Sequence, residues 1–381
     1  MAMSMMRKLS AVVGPVSVGV YSRLGIRTVE RISKAIGKSH RLCCPRQLSI
    51  AGTTIGISYS LFGFSFWKKD EEETDPLTEL YRGARLAHMR QDLQKADALY
   101  HEALKLADDL VKTQQITEEK YLTARTLFYD GLANIAMQTG QIDTAEVLYK
   151  ETMKGCLMQG MDKNHNAMVE MGLKLATIYA MRGQKIEAEE GYKFCLDAQL
   201  PKLAATEKLL KANDAKTVKQ NSELVSKIEM EESEQDTAAL LGMALSSYGR
   251  FLLYEKRYTE ALPLFEKARF YAEHTLGTDT DQYLVVLNDI ATLYIVTKNL
   301  DKAEEVLKAG INLSEKHKLM EKAMLFCNLG AVYLRKGDVT SALKQCQLGL
   351  ESAKEMDHKM AFKMAEACLK KGASVLANKS Q

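Results

Sequence analysis

The chain has 381 residues, 46% of them hydrophobic and 27% charged, with only 5 prolines, a composition that suits a folded, mainly helical protein and excludes a disordered one. Its net charge of +3 hides an asymmetry: residues 1–69 carry 11 Lys/Arg against Glu30 alone, which leaves the remainder at −7. That remainder offers no basic stripe to displace counterions, which argues against nucleic acid as the main partner.

Residues 1–47 set Arg7, Lys8, Arg23, Arg27, Arg31, Lys34, Lys38, Arg41 and Arg46 among serines and small apolar residues, the composition of a mitochondrial presequence. Residues 48–67, LSIAGTTIGISYSLFGFSFW, are uncharged and just long enough to cross a hydrocarbon core. Two readings stay open: an inner-membrane anchor, or the tail of a presequence that is cleaved. If the segment is retained, the acidic linker 68–77 and all that follows are expected in the intermembrane space.

From residue 78 a frame recurs. LQKADALYHEAL, IDTAEVLYKETM, KIEAEEGYKFCL, YTEALPLFEKAR, LDKAEEVLKAGI and VTSALKQCQLGL each place an alanine four residues before a larger apolar one. The anchors are Ala96, Ala145, Ala188, Ala261, Ala303 and Ala342, followed by Tyr100, Tyr149, Tyr192, Phe265, Leu307 and Cys346. Upstream of most lies a second helical pattern with its own small residue, at Ala133, Ala176, Ala291 and Gly330. Short breaks at Gly140-Gln141, Gly183-Gln184, Lys256-Arg257, Lys298-Asn299 and Gly337-Asp338 force antiparallel hairpins. Small residues at the helix crossings let the axes approach, where a leucine would push them apart.

Small, tyrosine, glycine, alanine and aromatic residues in this order resemble the tetratricopeptide repeat family. The resemblance implies an all-α superhelix of about six helix-turn-helix units, with repeats 1–3 over 78–199, repeats 4–6 over 237–356 and a closing helix over 357–381. Successive anchors lie 49, 43, 73, 42 and 39 residues apart, mostly longer than the usual repeat, and the long gap holds a charged insertion at 200–236. That insertion is expected to be a helical extension followed by an acidic loop. Pro263 is expected near the first turn of its helix.

No catalytic or phosphate-binding motif occurs, and the seven histidines are scattered, so neither an enzyme nor a metal or other cofactor is expected. The seven cysteines show no CxxC pair, and reduced core thiols are expected. A stack of hairpins makes a groove lined by first helices, a bed for a peptide or a partner helix. Its candidate contacts are Tyr81, Arg85, Asn134, Thr177, Arg250, Asn288 and Thr292. Chaperone-binding members of the family grip a terminal carboxylate, but here Tyr81, Arg85, Leu173 and Thr177 occupy clamp positions, and that clamp is not implied.

Presequence, candidate span, acidic juncture and split repeats together resemble a mitochondrial branch of the family. What that resemblance implies is an inner-membrane scaffold that binds respiratory complex III (cytochrome bc1) and helps clear fragments of its Rieske iron-sulfur subunit. The alternative is a cytosolic or outer-membrane adaptor for transport motors or chaperones.

Overall fold

Six helical hairpins and a closing helix make up the computed structural model, which describes residues 75–211, 232–317, 319 and 321–379. The presequence, the candidate span, most of the acidic linker and residues 212–231 of the insertion lie outside the described residues. Among the described residues there are thirteen α-helices and no strand. None of these helices is long and apolar enough to cross a membrane.

Two compact units divide the chain between Ala198 and Gln199. The first contains α1 (Pro76–Met89), α2 (Leu93–Lys112), α3 (Glu118–Gln138), α4 (Ile142–Met158), α5 (Asn166–Met181) and α6 (Lys185–Gln199, whose last residue falls past the division). The second begins with a 3-10 turn (Leu200–Leu203) and a helical stretch over 204–211. It continues with α7 (Glu232–Tyr254), α8 (Tyr258–Thr275), α9 (Asp281–Val296), α10 (Leu300–His317), α11 (Lys322–Lys336), α12 (Val339–Glu355) and α13 (Lys359–Lys379). The last five residues of the expected insertion thus belong to α7, and Pro263 sits six residues into α8, deeper than the first turn. There its missing N–H removes a bond to the previous turn, a cost the surrounding packing must offset.

Each hairpin turns on one left-handed residue. Gln91, Gly140, Gly183, Lys256, Lys298 and Gly337 all have φ between 61° and 83°. The next residue returns its N–H to the carbonyl five positions back, as in Gln141 to Ala136 at 2.8 Å and Asn299 to Tyr294 at 2.8 Å. This closes the orphan carbonyls at the end of each first helix. At the fifth turn the left-handed residue is Lys298 and not Asn299, because the geometry is fixed by position and the asparagine falls one residue late.

All nine anchor and crossing alanines, Ala96, Ala133, Ala145, Ala176, Ala188, Ala261, Ala291, Ala303 and Ala342, are fully buried. Glycines add closer contacts. A Cβ at Gly131 would enter the Tyr100 ring, and one at Gly249 would lie 2.6 Å from the Phe265 ring. Aromatic rings therefore rest on bare helix backbone, which is why these helices keep glycine despite its entropic cost.

The cysteines depart from expectation. Cys156, Cys195 and Cys327 are free and buried, but Cys346 of α12 is bonded to Cys368 of α13. Sequence spacing could not show this, because the two residues meet only when the closing helix folds back on the last hairpin.

Candidate functional site

The contact candidates occupy two positions of the repeat. Arg85, Asn134, Thr177, Arg250 and Thr292 stand eleven residues before their anchor alanines; Tyr81 and Asn288 stand fifteen before. One turn apart on the same first helix, these positions share a face.

In the first unit that face is a polar strut. Asn134 of α3 accepts hydrogen bonds from the Tyr149 hydroxyl and from Lys174 Nζ of α5, both at 2.8 Å, and donates to Asp130 at 3.1 Å. Lys174 also pairs with Glu170 at 2.6 Å. Burial works to lower the pKa of Lys174, but Glu170, Tyr149 and Asp130 outweigh it and hold the pKa above the usual lysine range. Tyr81 packs its ring against Tyr100 and Phe128, with Arg85 over its face at 5.8 Å. His88, held below its usual pKa by burial, bonds to Gln138 of α3 at 2.9 Å. Thr177 spends its hydroxyl on the Leu173 carbonyl at 2.9 Å.

The second unit uses different groups at the same height. Arg250 of α7 donates to both carboxylate oxygens of Asp289 of α9, at 2.8 and 2.9 Å, with little of either side chain open to solvent. Asn328 of α11 donates to Asn288 of α9 at 2.7 Å. Thr292 donates to the Asn288 carbonyl at 2.8 Å. Glu321, just before α11, donates its backbone N–H to Asp281 at 3.1 Å, while its buried Oε2 finds no hydrogen-bond partner among the described residues. Burial, and then the neighbouring Asp281 carboxylate, push the Glu321 carboxyl up to about 7, against the pull of Arg250.

Successive first helices are thus tied by His88 to Gln138, Lys174 to Asn134, Arg250 to Asp289 and Asn328 to Asn288. This corrects the reading of Tyr81, Asn134, Thr177 and Asn288 as groove contacts: all four are buried. Arg250 is committed to Asp289. The physical reason is that polar groups at the seam between first helices must find partners there, because water is excluded.

Exposure lies one turn farther along. Four residues beyond Arg85, Arg250 and Thr292 stand Met89, Tyr254 and Val296, with 55%, 47% and 41% of their surface open. Met181 is half-exposed at the equivalent place, seven residues before its anchor, with Gln138 and Arg335 completing the series. Sequence reasoning did not single out these exposed positions in either unit, although i+4 spacing from the chosen ones was a signal for them. Among the described residues, no cluster of His, Cys, Asp or Glu could hold a metal ion.

A repeat of two antiparallel helices, tied first helix to first helix within each unit, defines a helical-repeat scaffold protein. The tetratricopeptide repeat model matches residues 240–316. Curated relatives named mitochondrial tetratricopeptide repeat protein 19 include the human protein, 31% identical over 285 residues, covering 75% of this chain and 68% of the relative. The rat protein is 31% identical over 284 residues (74% and 71%), and the Drosophila melanogaster homolog 25% over 314 (82% and 76%). Among solved structures, BtubC from P. vanneervenii is similar at 16% identity and a TM-score of 0.45, over 76% of this chain and 92% of that one. The chain belongs to the tetratricopeptide repeat protein 19 family.

Proposed function

We propose that this chain is a non-catalytic repeat scaffold of the mitochondrial inner membrane that binds respiratory complex III. In this reading it supports the integrity of that complex by promoting clearance of Rieske iron-sulfur subunit fragments. Membership of the family at 31% identity over 285 residues carries the reading. The basic, acid-poor residues 1–47 supply the address, and 48–67 serve as the anchor, with the repeats in the intermembrane space.

The repeats contribute a binding face and no reaction. Their polar struts are consumed internally, so affinity comes from apolar side chains at the rim of the seam. Tyr254 and Val296 lie on first helices that Arg250 and Asp289 tie together, and an apolar segment of the partner would bury both. Truncating the two together is expected to weaken binding by about 1–2 kcal/mol in total.

The test is affinity purification of the full chain from detergent-solubilised mitochondria, with a Tyr254→Ser, Val296→Ser variant alongside. Recovery of cytochrome bc1 subunits with the parent, and roughly tenfold less with the variant at unchanged helicity, is the expected result. Recovery of motor or chaperone subunits without bc1 subunits would overturn the reading.

A further inference from the structure

In the fourth repeat Phe265, four residues after its anchor, lies on Gly249, twelve before it. The last repeat has Cys346 and Gly330 at those two places. A Cβ at Gly330 would collide with Cys346 Sγ and lie 3.2 Å from Cys368 Sγ. The sulfur pair therefore occupies the slot that an aromatic ring fills elsewhere, and half of it is delivered by α13. The Cα atoms of the two cysteines stand 6.0 Å apart, within the reach of a disulfide.

Elsewhere the first half of α13 is held by Met360, Phe362 and Met364 packed around Ala361. Ala361 packs on Ala323, Met324 and Ala353, and Gly372 approaches Leu343 and Leu334. Beyond Cys368 its side chains over 369–377 are exposed or half-buried except Gly372. The covalent bond sits between the packed first half of the helix and this open second half.

We propose that Cys346–Cys368 is a redox latch: oxidised, it fixes the closing helix on the last repeat; reduced by a dithiol, it frees the second half of α13 and uncovers Leu334 and Leu343. Accessibility sets the order of events. Cys346 is fully buried, whereas Cys368 is half-buried, so the attacking thiolate reaches Cys368 Sγ. The new bond joins reductant sulfur to Cys368, and Cys346 departs with the electron pair and takes up a proton. The reductant's second thiol then displaces Cys368, leaving a cyclic disulfide and two protein thiols. Cys327, whose thiol is pushed up to about 12 by burial, stays inert throughout.

The test traps thiols by alkylation during lysis and maps the full chain by mass spectrometry, then follows amide exchange before and after dithiothreitol. A cross-linked Cys346/Cys368 peptide pair is expected, with exchange over 366–377 rising at least about tenfold on reduction while 281–296 stays unchanged. Cys368→Ala is expected to show the fast exchange without reductant. A Cys346→Phe, Cys368→Ala variant, which restores the ring-on-glycine plug, is expected to ignore dithiothreitol. Absence of the cross-linked pair from trapped protein would overturn the latch, as would exchange within about twofold of the oxidised value after full reduction.

Discussion

The two units share a clasp and differ in their struts. At the end of α5, Arg182 pairs with Asp143 and Glu146 in the first turn of α4; at the end of α11, Lys336 pairs with Asp301 and Glu304 in the first turn of α10. The clasp uses identical repeat positions, six residues before one anchor and two before and one after the preceding one. The struts do not repeat in this way. In the first unit a buried lysine is shared by Glu170, Asn134 and the ring face of Tyr149, so charge is spread over three helices. In the second, one arginine is fixed to Asp289, and Asp281 and Glu321 crowd beside it. Exposed ion pairs follow the repeat because each hairpin end presents the same geometry to water. Buried ones are solved locally, because each seam has its own charge balance to satisfy.

Removing the cation is the strongest way to break that comparison. Arg250→Ala leaves Asp289 buried without its bidentate partner and is expected to cost about 3–5 kcal/mol in urea unfolding. Lys174→Met is expected to cost less, because Asn134 keeps its bond from the Tyr149 hydroxyl. Equal losses would mean that the two struts distribute charge alike.

Protonation separates the units next. The folded-state pKa of Glu321, about 7, lies above its ordinary value, so the native state prefers the neutral acid. Stability from this group is therefore greatest below pH ~4.5, declines as pH rises toward 7, and stays reduced above it, by at most about 3 kcal/mol. Glu321→Gln is expected to flatten that decline and raise the unfolding midpoint at pH 8 but not at pH 5. A variant with the parent's slope between pH 5 and 8 would show that another group carries it.

The smallest effect concerns the turns. The second and third hairpins of the first unit use Gly140 and Gly183 at positive φ, whereas the first two of the second unit use Lys256 and Lys298. Lys256→Gly is expected to stabilise by about 0.5–1 kcal/mol, and Gly183→Ala to destabilise by a similar amount, in matched thermal melts.

How much of this could be read from the chain follows the same division. Six anchors in register, with glycine or its substitutes between them, were enough to place the hairpins, since local periodicity and turn chemistry decide them. The candidate face was legible only as a position. Arg85, Arg250 and Thr292 could be placed on one side of the first helices, but whether a side chain there is spent internally depends on a partner roughly forty residues away. Asp289 for Arg250 and Asn328 for Asn288 are such partners.

By itself the sequence determined the helices, their antiparallel pairing and the small residues at their crossings, because these depend on neighbours within one hairpin. Tertiary structure alone decided that Asn134 and Asn288 are buried struts, that Met89 in the first unit and Tyr254 and Val296 in the second are exposed, and that Cys346 meets Cys368. Each of those outcomes requires a second hairpin, or the closing helix, to arrive and exclude water from one side of a residue while leaving the next turn open.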